Sequence, residues 1–281
     1  TGSAFQVALM TIMRMAPLAL GGIFAGALAE RFDRRKILFA GYSLSTAIAF
    51  TLALLAFVGH LDVWHLAVGS FLNGIVWTTD FPARRTLLGE VAGQDNIGTA
   101  MSLDTLTGNG TRMVGPALGG LALEALGIGP TFLIAAVLQS LTIVIALRFH
   151  HEHRTGDARG TGVWRDMLDG LRHVRSNRPL MGTLMVTVAF NVFGFPVTSM
   201  IPVIGADVLG LSPFPVGLLS SADGLGAFIG GSIVAAFATP QHFKKIYLYG
   251  TFTYLNMVLL FSSGTIPWLS GGLLVVMGLG A

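Results

Sequence analysis

The sequence predicts an all-α membrane protein, and three observations support this prediction. Of the 281 residues, 53% are hydrophobic and only 11% are charged, which is too apolar for a soluble domain of this length. Apolar runs of about 20 residues, the length at which a helix crosses a bilayer, recur along the chain. No segments of about ten residues alternate between apolar and polar positions as the strands of a membrane barrel do. Spanning helices are therefore the expected elements, because they satisfy every backbone group in lipid.

Eight complete spans follow one another, separated by charged residues, proline or glycine. They cover about 5–29, 36–58, 63–83, 96–125, 129–149, 180–204, 214–238 and 243–262. A ninth span begins near Pro267 and is broken off. The chain begins without a methionine or a signal-peptide pattern and ends inside an apolar run, so we expect a fragment cut at both ends.

The basic residues lie almost entirely on one side of these spans. All but two of the 17 lysines and arginines fall in four groups that follow the first, third, fifth and seventh spans. The groups are 31–36, 84–85, 148–178 and 244–245. Because cytoplasmic loops of membrane proteins are enriched in lysine and arginine, we expect this side to face the cytoplasm.

The two cations outside these groups, Arg14 and Arg112, fall inside the predicted spans, and so do the acids Asp104 and Asp223. A charge at the bilayer centre costs about 2.5–3.5 kcal/mol on insertion scales, so such residues are expected to have a partner and a function. These four are the candidates for proton coupling or for charge pairing between helices.

One face of the span at 96–125 combines charged and small residues at helical spacing. It carries Asp104, Gly108, Arg112, Gly115 and Gly119. Small residues on one face let another helix approach closely. Pro116 removes a hydrogen bond to the carbonyl of Arg112 and is expected to bend the helix. The span is either a kinked interface helix with a charged pair or an ordinary packing helix.

The sequence also contains an internal repeat. Residues 5–41 align without a gap with residues 214–250, at an offset of 209, and ten of the 37 positions are identical. Both copies run toward the basic side, so the repeat predicts two halves related by an axis along the membrane normal. The same offset aligns Arg14 with Asp223.

The segment GALAERFDRRK, which follows the first span, resembles the cytoplasmic loop motif of the major facilitator superfamily. The matching positions are Gly26, Leu28, Ala29, Glu30, Arg31, Phe32, Asp33, Arg34, Arg35 and Lys36. Glu30 stands where the family has aspartate, and Asp33 where it has glycine. The resemblance implies that Glu30 lies near helix eleven and that Arg34 binds Asp80, which together latch the outward-facing state. A solvated loop that only sets topology is the alternative.

Further segments are similar to bacterial exporters of that superfamily. NGTRMVGPALGG (109–120), with Gly115, Pro116, Gly119 and Gly120, resembles the glycine-proline signature of its antiporter branch, and DGLRHVRSNRPL (169–180) resembles the approach to helix seven in macrolide-efflux and enterobactin exporters. The resemblance implies a major facilitator fold of two pseudo-symmetric six-helix bundles, truncated here to about helices two to ten. The expected parts are an N-terminal bundle (1–149), an interdomain loop with an amphipathic helix (150–179) and a truncated C-terminal bundle (180–281).

The resemblance implies a secondary active transporter that exports a small organic molecule, such as a drug or a siderophore, against protons by alternating access. In this fold helices five and eight face each other, so Arg112 could pair with Asp223. An acid in such a pair could alternate between a proton and the arginine, whereas a static buried pair is the competing interpretation. An importer or uniporter of the same fold and a polytopic membrane protein without transport remain alternatives.

The expected partners are a small-molecule substrate, protons and membrane lipids, and the protein is expected to act as a monomer in the bacterial inner membrane. Trp77, Thr78, Asn191 and Phe195 are candidates for lining a substrate cavity. Nucleic acid is not expected, because no long basic tract is present. We expect no cofactor, no metal site and no enzymatic activity, since cysteine is absent and HHEH (150–153) falls in a loop without supporting ligands.

Overall fold

The computed structural model describes residues 3–31, 33–148, 175–237, 242–262 and 266–280, and only the backbone at 23–31, 179, 195 and 243–244. Nine α-helices are labelled in these ranges. They are α1 (Ala4–Arg31), α2 (Arg34–Phe57), α3 (Val63–Leu126), α4 (Ile128–Arg148), α5 (Arg178–Ala189), α6 (Phe195–Val203), α7 (Pro213–Phe237), α8 (Phe243–Ser262) and α9 (Pro267–Leu279). Two short π-helical segments, Phe190–Gly194 and Ile204–Val208, precede and follow α6.

Many large apolar side chains on these helices point outward. Among the described residues, five segments are long and apolar enough to cross a bilayer: Ala4–Gly22, α2, α4, Leu180–Val208 and α7. On α4, Leu138 and Ile145 are 59% and 56% exposed. Polar residues lower the hydropathy of α3 and α8, which fall outside this set. Such a surface would be unstable in water and suits contact with lipid.

The described residues form two compact units. The first contains α1, α2, α4 and the part of α3 up to Met101, and the second contains residues 102–125 of α3 together with α5 to α9. The sequence analysis placed 96–125 with the N-terminal bundle, whereas most of this stretch clusters with α7, because the backbones of the two helices touch. The boundaries 1–149, 150–179 and 180–281 stay a prediction. Most of the interdomain loop, including HHEH, lies outside the described residues.

The helix α3 differs from the sequence prediction, which expected separate spans at 63–83 and 96–125. The helix continues through the intervening charged stretch and breaks at Gly93, which has φ 73° and ψ 170°. Local contacts support the extra turns: Arg84 lies 3.7 Å from Asp80, and the guanidinium of Arg85 lies 4.3 Å from the ring centroid of Phe81. Only glycine adopts such a backbone conformation readily, so the break comes at Gly93.

The predicted span at 180–204 is helical but irregular. The π-helical turn Phe190–Gly194 comes just before Pro196, whose missing N–H and bulky ring disturb a regular helix. Tyr254 of α8 packs against this turn, with its ring centroid 4.7 Å from that of Phe190 and its hydroxyl 3.4 Å from the carbonyl of Gly194. This contact belongs to the core of the second unit, which also contains Ile201, Leu219, Phe261, Leu274 and Met277.

The internal repeat is visible in the packing within each unit. In the first unit, a Cβ on Gly74 would collide with the carbonyl of Arg14, and one on Gly41 would touch Val76. In the second unit, a Cβ on Gly278 would collide with the carbonyl of Asp223, and one on Gly250 would collide with the carbonyl of Gly280. The first and second helices of the copies match at an offset of 209 and the third helices at 204. The copies α1–α2–α3 and α7–α8–α9 therefore share their glycine contacts, with a connection five residues shorter in the second.

Candidate charge-coupling site

The second unit contains a very close crossing between α7 and residues 102–125 of α3. A Cβ added to Gly224 would collide with the backbone of Arg112, one on Gly217 with the carbonyl of Pro116, and one on Gly120 with the carbonyl of Pro213. Glycine at these positions removes the side chains that would otherwise hold the two helices apart. The two backbones are therefore in direct contact over several turns.

The Arg112–Asp223 ion pair lies at this crossing. Nη2 of Arg112 donates a hydrogen bond of 2.6 Å to Oδ2 of Asp223. The side chain of Asp223 is 5% exposed and that of Arg112 is 50% exposed. A charge-assisted hydrogen bond of this kind is short and strong. The structure thus brings together two of the intramembrane charges that stand out in the sequence, and it leaves the arginine accessible from one side.

Three helices enclose Asp223. Besides Arg112 of α3, Tyr254 of α8 lies close enough to interact electrostatically with both members of the pair. The third helix, α9, places Gly278 against the backbone of Asp223. Among the described residues, Oδ1 of Asp223 has no hydrogen-bond partner. Burial favours the neutral acid, whereas the arginine favours the carboxylate, so the two influences oppose each other at Asp223.

Three more polar contacts join the same two helices. Asn109 Nδ2 donates to the carbonyl of Ala227 (3.3 Å), the N–H of Ala117 donates to Ser221 Oγ (3.0 Å), and the N–H of Phe214 donates to Glu124 Oε2 (2.8 Å). The sequence analysis missed all three side chains. Spacing gave a signal for Ser221, because Gly217, Ser221 and Gly224 lie on one helical face.

The glycine face expected on α3 is not the face that packs. A Cβ added to Gly108, Gly115 or Gly119 would meet nothing within 4 Å in the described structure, whereas one on Gly120 would collide with α7. The packed face carries Asn109, Ala117, Gly120 and Glu124 and is centred about 140° around the helix axis from the expected one, with Arg112 between the two. Asp104 lies eight residues before Arg112, about 12 Å along the axis, and is not part of the pair.

Arg14 lies in the first unit, in a cavity of about 500 Å³ that is also lined by Trp77 and Asp80. Its side chain makes no hydrogen bond or ion pair with any residue that the structure describes.

Thr78 is buried and donates to the carbonyl of Gly74 (2.8 Å). In the second unit, Asn191 donates to the carbonyl of Thr187 (2.8 Å), and the side chain of Phe195 is outside the described part.

The loop motif begins α2. The carboxylate of Asp33 caps this helix by accepting from the N–H of Arg35 (2.9 Å), as aspartate commonly does. Arg35 also donates to the carbonyl of Leu147 at the end of α4 (2.7 Å). Gly26, Glu30 and Arg31 lie on α1 in the part where only the backbone is described, so their side-chain contacts stay a prediction.

The expected pairing of Arg34 with Asp80 is not found. Arg34 instead forms an ion pair with Glu90, and the two side chains are 12% and 26% exposed. Because α3 continues beyond residue 83, Glu90 lies about 15 Å further along the helix than Asp80, toward the basic side. Asp80 instead accepts a hydrogen bond from the hydroxyl of Tyr42 and forms an ion pair with Arg84. Glu90 is therefore the acid that the sequence analysis missed.

The chain is similar over its whole length to a family of known membrane proteins. Residues 1–281, the whole chain, match the family described as transmembrane secretion effector, a branch of the major facilitator superfamily. The chain belongs to this family. Transmembrane secretion effectors of this superfamily are multi-pass transporters and not enzymes, which confirms the family, the all-helical membrane fold and the class of protein inferred from the loop motif.

Several relatives of this chain are named for efflux or for transport. Macrolide efflux protein A of Streptococcus pyogenes is 24% identical over 95% of this chain and 66% of its own length. The staphyloferrin A transporter of Staphylococcus aureus is 22% identical over 87% of this chain and 60% of its own. The multidrug efflux pump Tap of Mycobacterium tuberculosis is 28% identical over 71% and 50%. The chain thus spans two thirds or less of the length of each.

A solved structure shows the same fold. The crystal structure of a bacterial homologue of the human lysosomal transporter Spinster, inward-facing and unoccupied, aligns with 98% of this chain and 64% of its own. The TM-score is 0.60 at 16% sequence identity. This likeness supports the architecture of the transmembrane secretion effector and carries no information on its substrate.

Proposed function

We propose that the protein exports a small organic molecule across the bacterial inner membrane in exchange for protons, by alternating access, with its basic loops in the cytoplasm. Relatives named for macrolide efflux, siderophore transport and multidrug efflux favour export of such a molecule. The observation that carries proton coupling is the Arg112–Asp223 pair, a buried carboxylate held by a half-exposed arginine at a crossing of two helices.

In the proposed cycle, Asp223 is either ionised and bound to Arg112 or protonated and released from it. A proton arriving from outside neutralises the carboxylate and removes its attraction to the guanidinium. Loss of the proton to the more alkaline cytoplasm restores the pair. Because the pair joins α3 to α7, its making and breaking changes the relative stability of two conformations, which is what alternating access requires.

The loop motif contributes the second part of the proposal. The pair between Arg34 and Glu90 ties the start of α2 to α3 near the basic side, within the first unit. We assign to this pair, with Gly26, Glu30 and Arg31, a part in stabilising one conformation of the transport cycle. Different contacts in the two conformations are needed for such a bias.

The experiment compares Asp223→Asn with Asp207→Asn in the full-length protein reconstituted in liposomes. Asp207 is an exposed acid in the same unit, so its substitution makes the same chemical change away from the crossing. Accumulation driven by a pH gradient is measured for erythromycin, ethidium and staphyloferrin A, one compound for each class named among the relatives.

We expect Asp223→Asn to reduce accumulation at least about tenfold, which corresponds to about 1.4 kcal/mol less free energy stored in the substrate gradient. Asp207→Asn should behave as the wild type. Equal amounts of reconstituted protein are verified for each variant. Normal accumulation in Asp223→Asn would show that the pair is only structural.

A further inference from the structure

The crossing between α3 and α7 contains a hydrogen bond that a regular helix would not make. The N–H of Ala117, in the interior of α3, donates to the side-chain oxygen of Ser221 on α7 at 3.0 Å. A backbone N–H inside an α-helix ordinarily donates to the carbonyl four residues earlier. The amide of Ala117 is thus shared with α7, while the backbone of α3 stays helical at this point.

Pro116 stands directly before this amide. Because it has no N–H, it cannot donate to the carbonyl of Arg112, so the helix has one hydrogen bond fewer at this turn. Ser221, which is only 8% exposed, accepts from the amide that follows the proline. Gly217 and Gly224, about one turn on either side of Ser221, let the backbones approach closely enough for the contact.

We propose that Ser221 is a positioning residue for the Arg112–Asp223 pair. Its hydrogen bond fixes the turn of α3 around Pro116 at a defined place along α7. Arg112 lies five residues before Ala117, and Asp223 lies two residues after Ser221, so this bond joins the two segments that carry the ion pair. The inference rests on the proposed role of that pair in transport.

The surroundings of Asp223 make the effect measurable. In the part of the chain that the structure describes, the charged or titratable groups that face it are Arg112 from α3 and Tyr254 from α8, and α9 contributes the backbone of Gly278. Ser221 is uncharged and does not titrate. A change in the protonation of Asp223 after substitution of Ser221 must therefore come through the position of Arg112 and the packing around the pair.

The experiment compares Ser221→Ala with Ser220→Ala in the full-length protein. Ser220 is the neighbouring residue on α7, and its hydroxyl donates only to the carbonyl of Val216 in its own helix (3.2 Å). The protonated carboxyl band of Asp223 is followed by infrared spectroscopy between acidic and alkaline pH, and Asp223→Asn identifies the band by abolishing it.

We expect the pH at which this band is half lost to rise by about 0.5 unit in Ser221→Ala, about a threefold change in proton affinity. The reason is that a less closely held Arg112 stabilises the carboxylate less. Ser220→Ala leaves the midpoint unchanged. Ser221→Cys, which keeps the size and a weak acceptor, lies between the two. If the pH at which the band is half lost is the same in Ser221→Ala as in Ser220→Ala, the proposal is overturned.

A double-mutant cycle separates this inference from the proposed function. Ser221→Ala is introduced into the wild type and into Asp223→Asn, and thermal unfolding is measured for all four proteins. Ser221→Ala should lower the melting temperature more in the wild type, because only there does it disturb an ion pair. Equal losses in both backgrounds contradict positioning. If instead Asp223→Asn leaves pH-driven transport intact, the coupling role fails, and the cycle still decides whether Ser221 positions the pair.

Discussion

At the scale of single residues, the unequal exposure of the Arg112–Asp223 pair is the feature that suggests a switch. A pair buried on both sides would stay closed, because separating it would leave two charges without water. Here the arginine is half exposed while the acid is buried. In the proposed cycle the arginine leaves the pair and the acid is then neutralised by a proton.

The Arg34–Glu90 pair gives a prediction at this scale. Glu90→Gln leaves a largely buried Arg34 without its counter-charge, so we expect weaker transport and a less stable first unit. In a double-mutant cycle with Arg34→Gln, thermal unfolding should reveal a coupling of about 1–3 kcal/mol.

Asp80→Asn is the matched control for that cycle, because the loop motif led to Asp80 as the partner of Arg34. We expect its coupling to Arg34→Gln to be close to zero, since Asp80 contacts Tyr42 and Arg84 instead. A larger coupling for Asp80 than for Glu90 would mean that the pairing described here is not the one that matters in solution.

At the scale of the helices, two glycines in α3 have opposite roles. Gly93 ends the first straight part of the helix through a backbone conformation that other residues rarely adopt. Gly120 continues the helix and instead permits close approach to α7. The sequence shows glycine at both places but does not distinguish a break from a contact, because that depends on the neighbouring helix.

Gly93→Ala should destabilise the protein by about 1–3 kcal/mol, the usual cost of forcing a side chain into this region of backbone space. Gly98→Ala, five residues later, should be neutral or stabilising by up to about 1 kcal/mol, since a Cβ there meets nothing within 4 Å and alanine favours helix. Circular dichroism during thermal unfolding of the full-length protein measures both. Similar behaviour of the two variants would argue against a break at Gly93.

The crossing itself is tested by Gly224→Ala. The added methyl group would push against the backbone of Arg112, so we expect a loss of about 1–3 kcal/mol in stability together with loss of transport. Gly115→Ala serves as the control, because nothing lies within 4 Å of its added Cβ in the described structure. If Gly115→Ala is the more damaging of the two, the face that packs against α7 has been assigned wrongly.

At the scale of the whole molecule, the organising feature is the repeat. Gly74 packs on Arg14 in one unit as Gly278 packs on Asp223 in the other, so equivalent positions carry opposite charges within the same three-helix arrangement. The duplicated packing preserves the helices, while the charges differ. In the second copy, Asp223 pairs with Arg112.

The sequence predicted the helices well, because long apolar runs stand out from any other pattern. The charged candidates stay predictions, and of the four inside the spans the structure pairs Arg112 with Asp223. The sequence predicted the contacts less well. Arg34 pairs with Glu90 because α3 continues past its predicted end. The packed face of α3 differs from the expected one because Gly120, and not Gly119, lies against α7. Both depend on helix length and rotation, which apolar periodicity alone does not fix.

The central claim is that Asp223 couples transport to protons, and proton movement itself is its most direct test. In proteoliposomes of the full-length protein loaded with a pH-sensitive dye, addition of a transported compound from the three tested classes should cause a proton flux. We predict that Asp223→Asn abolishes this flux and that Asp207→Asn preserves it. A normal flux in Asp223→Asn would contradict the account.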